Sequence, residues 1–191
     1  TILDQMVLQV PDPPLEGRLV ALLDSADRDM RALSRRMLPR VAGPEKAFVE
    51  FKSRVGENLP LARQSRWIIA LAKLDWAPAR ETAASWLASG GWATGSAGVA
   101  VSRFLAGSSA IDPWLGGFLQ NPEVPAAITF PLAMARAPHS QEARAFLRQA
   151  LEGAEGLRQE QALRGLSNAG LEEDLEILLL VAQGEEFDAV A

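Results

Sequence analysis

Apolar side chains recur along this chain at steps of three and four, the period of a helix that buries one face. Met30, Leu33, Met37 and Val41 form one such stripe, Gly43 and Pro44 interrupt it, and Phe48, Phe51 and Val55 resume it. Pro44 stands at the first position of the second helix, where a missing N–H is no loss. The same two-helix pattern returns four more times. Residues 61–74 break at Ala77 and Pro78 before Thr82, Ala83, Trp86 and Leu87, and residues 98–105 break across 107–111 before Asp112, an N-cap followed by Pro113. Residues 126–136 break at 137–140 before 143–151, and residues 157–169 break at Gly170 before Leu175, Leu178, Leu179 and Val181. Ahead of them all, Leu15, Leu19, Leu22 and Leu23 predict one further amphipathic helix. No stretch sustains the alternation of a strand, so the fold class is all-α.

The helix pairs occupy 27–56, 57–90, 91–120, 121–153 and 154–184, segments of 30, 34, 30, 33 and 31 residues. Helices this short bury an apolar face only by stacking on neighbours, which predicts an α-solenoid. We expect a single α-solenoid domain over 1–191, with an N-terminal segment and cap helix in 1–26, five repeats in 27–184 and an acidic tail in 185–191. Gly91, Gly95 and Gly98 are placed in the first helix of the third segment and Gly116 and Gly117 in its second, predicting close helix contacts or a bend. Pro131 falls inside the fourth segment's first helix and predicts a kink.

Residues 154–166 (AEGLRQEQALRGL), followed by Gly170 and 175–182, resemble the short HEAT-like repeats of the phycobilisome-lyase type. Residues 121–127 (NPEVPAA), running to Ala137 and Pro138, look like another copy, and the resemblance covers about 27–184. It implies a curved stack of about five HEAT-like hairpins whose second helices line a concave face. Carried over repeat by repeat, it places Lys46, Lys52, Arg80, Glu81, Trp114, Arg144, Arg148 and Glu173 as candidate partner contacts. The Trp, Gly-Tyr, Ala, Phe, Pro order of tetratricopeptide repeats is not readable, and the chain has no Tyr.

Composition narrows the chemistry. With no Cys there is no disulfide, thiolate site or cysteine nucleophile, and with one His, His139, multi-histidine metal sites are excluded. His139 lies in a predicted break beside Ser140, which reads as a helix N-cap, with no nucleophile elbow around them. The string 90–96 (GGWATGS) lacks the Lys of a phosphate loop and reads as a loop leading into a helix. Glu172, Glu173, Asp174 and Glu176 open the last helix, where negative charge suits the dipole, and Glu185, Glu186 and Asp188 read as a solvated tail. No catalytic motif, metal site or cofactor is expected. No stretch approaches the length of a membrane span, and the cytoplasm is the expected location, with a secreted or periplasmic mature form as the alternative.

Charge and tryptophan supply the remaining signals. The net charge is −5, divided between +3 over 1–80 (13 Lys and Arg against 10 Asp and Glu) and −8 over 81–191 (6 against 14). Arg28, Arg31 and Arg35 follow helical steps along one side of a helix, with Arg36 and Arg40 beside them, a basic face suited to carboxylates or phosphates. Trp67 and Trp86 fall on apolar stripes and are expected in the core, while Trp76, Trp92 and Trp114 lie near helix ends, where one or more is placed to line a groove. Together these features predict a non-enzymatic scaffold or adaptor for a protein or peptide. The alternative is a nucleic-acid-binding solenoid similar to the HEAT-like alkylpurine DNA glycosylases, which hold DNA in a basic groove. Activity toward a bilin is suggested only by the name of the repeat.

Overall fold

A computed structural model describes residues 13–56, 59–153 and 156–182; every structural statement below refers to these. They form eleven α-helices, and among them there is no strand. The chain divides into two compact units at Ala83/Ala84, inside one helix.

The first unit contains α1 (Pro13–Leu22), α2 (Arg28–Ala42), α3 (Pro44–Lys52), α4 (Leu61–Ala72) and the start of α5 (Ala77–Ala88). Asp27 starts α2 by accepting the Asp29 N–H at 2.7 Å and the Met30 N–H at 3.4 Å. Only Gly43 separates α2 from α3; its φ of +85° is open to glycine without strain, and Pro44 opens the next helix as expected. Consecutive helices pack in order, α1 on α2, α2 on α3 and α3 on α4. Leu19, Leu23, Leu38, Phe51, Ile68 and Leu71 are buried between them, and Trp67 is 6% exposed.

The buried face of α2 differs from the expected stripe. Met30 and Leu33 are exposed, whereas Ser34 and Leu38 are buried. The Ser34 hydroxyl donates to the Leu19 carbonyl of α1, so a polar residue sits inward with its donor satisfied. Apolar periodicity alone does not anticipate such an inversion. The second break also falls earlier than expected: Ala77 and Pro78 open α5, and residues 73–76 form the turn.

The second unit takes up α5 at Ala84 and continues through α6 (Ser96–Leu105), α7 (Asp112–Gln120), α8 (Ala126–Arg136), α9 (Gln141–Gly153), α10 (Leu157–Ala169) and α11 (Glu172–Ala182). Single 3₁₀ turns, Gly91–Ala93 and Ser109–Ile111, precede α6 and α7. Here α6 packs on α8 and α8 on α10, while α7 packs on α9; α9 also lies against α8 and α10. Close approach needs small residues. A Cβ on Gly165 would fall 2.6 Å from Leu147 Cδ1 and 3.4 Å from Met134 Cα, so α10 meets α8 and α9 where it has no side chain.

Several local expectations are corrected. Gly91 and Gly95 lie before α6, in and after the 3₁₀ turn, and only Gly98 is helical. A Cβ on Gly98 would lie 2.7 Å from the Trp92 carbonyl oxygen, whereas Gly117 has open space around it. Asp112 does not cap α7; its carboxylate accepts from Arg136 Nε at 2.8 Å and Nη2 at 2.7 Å, a bidentate pair. Asp174, expected to open the last helix where negative charge suits the dipole, is fully buried and accepts from Arg148 Nε at 2.7 Å. Ser140 does cap α9, accepting the Ala143 N–H at 3.2 Å, and Gly170 ends α10 at φ +64°.

Two predictions concern packing and buried charge. Gly98→Ala lowers unfolding stability by about 1–3 kcal/mol because backbone occupies the space, whereas Gly117→Ala raises it by roughly 0.5–1 kcal/mol; urea denaturation followed by circular dichroism reads both. Asp174→Ala removes a buried acceptor of Arg148, which is itself part-exposed, and lowers stability by about 1–3 kcal/mol in the same assay.

Candidate functional site

In the first unit α2 and α4 do not pack closely on each other, and a groove of about 740 Å³ lies between them. Arg35, Arg36 and Arg40 line it from α2, Arg66 from α4, and Lys73 from the turn just after α4. Pro39, Ile69, Ala70 and Leu74 supply apolar lining. The single carboxylate present, Asp75, is 95% exposed and paired with Arg80 at 3.0 Å. The groove is therefore cationic along its sides and apolar beneath, in the size range of small-ligand and side-chain pockets.

Trp67 is not part of the groove lining but lies beside two of its arginines. The guanidinium carbons of Arg35, Arg54 and Arg66 stand 5.6, 5.7 and 6.0 Å from its ring centroid. Arg54 is neutralised: it donates to both Asp24 carboxylate oxygens, at 3.1 and 2.6 Å, and to Glu50 Oε2 at 3.0 Å. Those bonds hold its pKa above the ordinary value and, through the hydrogen bond from Arg54, hold that of Asp24 below the usual carboxylate range. Arg35 is the reverse case. Burial, then the nearby charges of Arg66 and Arg31, push its pKa down, and its Nη1 is buried with no hydrogen-bond acceptor. Its charge persists, since guanidinium does not lose its proton in proteins, but at an electrostatic cost.

Of the basic face expected on α2, Arg35, Arg36 and Arg40 reach the groove. Arg31 instead donates to the Ser25 and Ala26 carbonyls at 2.5 and 2.8 Å, closing the α1–α2 turn, and Arg28 is exposed outside the groove. Sequence reasoning missed Arg66 and Lys73. Their signal was present: they are seven residues apart, two helical turns on one face.

The partner contacts expected from the repeat resemblance do not line this groove. In the first unit Lys46 pairs with Glu16 at 3.0 Å, Lys52 stands 5.1 Å from the Phe48 ring centroid, Arg80 pairs with Asp75, and Glu81 is exposed. In the second, Trp114 is half-buried, Arg144 donates to the Ala137 carbonyl at 2.9 Å, and Arg148 holds Asp174. The Glu173 side chain and residues 185–191 lie outside the described residues. Trp67 and Trp86 are buried as expected, and Trp76 and Trp92 are half-buried; Trp76 meets Phe48 edge-on at 4.8 Å. His139 is exposed.

Among the described residues no cluster of His, Asp and Glu is arranged to hold a metal ion, and no helix is long and apolar enough to cross a membrane. No protein-family model, curated protein or solved structure matches this chain.

The Asp24–Arg54 pair makes a pH-dependent contribution with a definite sign. A depressed carboxylate pKa stabilises the fold above the ordinary carboxylate value, and that contribution disappears as pH falls through the folded-state pKa. For so exposed a carboxylate, Asp24→Asn lowers stability at neutral pH by about 1 kcal/mol or less. The difference from wild type closes below roughly pH 4, as read by urea midpoints across an acid series.

Proposed function

We propose that this protein is a non-enzymatic scaffold, a HEAT-like α-solenoid, that binds a partner protein by taking a short acidic, apolar-bearing segment into the groove between α2 and α4. Two features support the solenoid part. Helices of alternate position pack on each other in the second unit, α6 on α8 on α10 and α7 on α9, which is how stacked hairpins meet. In the first unit α1 lies against α2, as a cap helix would.

The observation that carries the binding part is the composition of the groove: five cationic side chains over an apolar lining, with one carboxylate that another arginine already engages. A carboxylate-rich segment with one or two apolar side chains complements both features. The groove lies on the first helices of two pairs, whereas the resemblance favours second helices, and the proposal follows the groove. Binding at α2 and α4 also agrees with the +3 balance of residues 1–80.

The test is a fluorescence-anisotropy titration at two salt concentrations with labelled peptides of mixed Glu, Leu and Phe, and with a labelled DNA duplex. Peptide binding is expected, weakened about tenfold or more (roughly 1.4 kcal/mol) by Arg66→Glu combined with Lys73→Glu. A duplex that binds more tightly than any peptide, with affinity falling steeply as salt rises, overturns the reading in favour of a nucleic-acid solenoid.

A further inference from the structure

We infer that the groove, through the three arginines Arg35, Arg36 and Arg66 that line it, offers a subsite for a phosphoryl dianion carried by the partner segment on a phosphoserine or phosphothreonine; this rests on the acidic-segment reading above. The first argument is which cations are already satisfied. Around these three, Arg54 holds Asp24 and Glu50, Arg31 holds two carbonyls and Arg80 holds Asp75. Arg35, Arg36 and Arg66 have no carboxylate or carbonyl partner among the described residues, although all three line one groove.

The second argument is charge stoichiometry. A lone carboxylate carries one negative charge and suits one guanidinium fork, leaving two of the three cations opposed only by solvent. A phosphate monoester near neutral pH carries about −1.5 to −2 and three terminal oxygens, enough acceptors for two or three forks. That all three residues are arginine fits this geometry, because the planar fork pairs with tetrahedral oxyanions in a way a lysine ammonium does not. Arg35 is penalised first by burial and then by the nearby charges of Arg66 and Arg31, and an occupying dianion offsets these.

The third argument is placement. Trp67 is nearly buried, and Arg35 and Arg66 both stand near its ring, so two of the cations are positioned by a rigid aromatic without being neutralised by it. Pro39, Ile69 and Leu74, and Arg40 and Lys73, line the same groove, giving apolar and cationic surface to residues flanking the phosphate.

The experiment uses three peptide libraries with the same degenerate Glu, Leu and Phe flanks and a fixed central Ser, Glu or phosphoserine, titrated against the full chain. Phosphoserine is expected to bind about tenfold or more tighter than Glu. Arg66→Gln, at an exposed position, should erase that preference while circular dichroism is unchanged, and Arg66→Lys should restore only part of it. Lys73→Gln should weaken all three libraries alike. Equal binding of the Glu and phosphoserine libraries overturns the dianion subsite and leaves the acidic-segment reading standing. Failure of all three overturns both. Inorganic phosphate that binds as tightly as the phosphoserine library overturns the partner-borne source in favour of a small phosphate ligand.

Discussion

How closely one helix can approach the next decides most of this structure. Its α-helices run from nine to fifteen residues, lengths at which an isolated helix is marginal and depends on neighbours to bury its face. Where side chains are small, axes come together: Gly165 admits Leu147 and the backbone at Met134, and Gly98 admits the carbonyls of the preceding turn. Between α2 and α4 the facing positions carry Arg35, Arg36 and Arg66 instead. Long side chains of one sign stand where the two helices do not pack closely, and a groove takes the place of a packed interface. The same rule that closes the second unit's helix pairs opens this one.

Charge is distributed on a corresponding logic. Three arginines tie successive elements together by pairing with carboxylates distant in sequence: Arg54 with Asp24, Arg136 with Asp112 and Arg148 with Asp174. Each links a helix, or the residues just after one, to another part of its own unit. In the Arg148 pair the carboxylate is fully buried and the guanidinium part-exposed, so removing the arginine costs more than the intact pair contributes. The Arg54 pair is more exposed and contributes little to stability, yet it has a consequence at Trp67. By neutralising one of three guanidiniums near that ring, it leaves Arg35 and Arg66 as the cations without an internal counter-charge.

The helical period and several of its breakers were legible in the sequence, although Ala77-Pro78 open a helix rather than break one and Gly91 and Gly95 precede the helix they were expected in. Residues 126–136 and 157–169 match α8 and α10 end to end, and Gly43-Pro44, Ser140 and Gly170 act as the punctuation they suggest. Those signals are local: a missing N–H, a hydroxyl acceptor, a positive φ. What escaped was whatever depends on a second helix. The apolar stripe of Met30 and Leu33 faces solvent because α1 supplies a carbonyl for Ser34. Asp112 and Asp174 looked like helix-start residues, and distant arginines recruit both. The groove was half legible. The arginines of α2 form an evident row, but only the arrangement of α2 and α4 shows that Arg66 and Lys73 complete it and that Arg28 and Arg31 do not.

A groove lined by cations has a property that a groove carved from apolar surface lacks. In its empty state Arg35 is desolvated and, secondarily, faces the like charges of Arg66 and Arg31. Any anion that seats between them gains its own Coulombic attraction and removes that repulsion as well, so binding and the stability of the first unit are linked. The linkage is selective by charge, because an apolar occupant fills the same space without cancelling anything. An occupant with a single charge cancels part of it. For the proposed segment, specificity would follow from the number of negative charges it brings and where along α2 and α4 it brings them, while the apolar lining would set how well the rest of it is held.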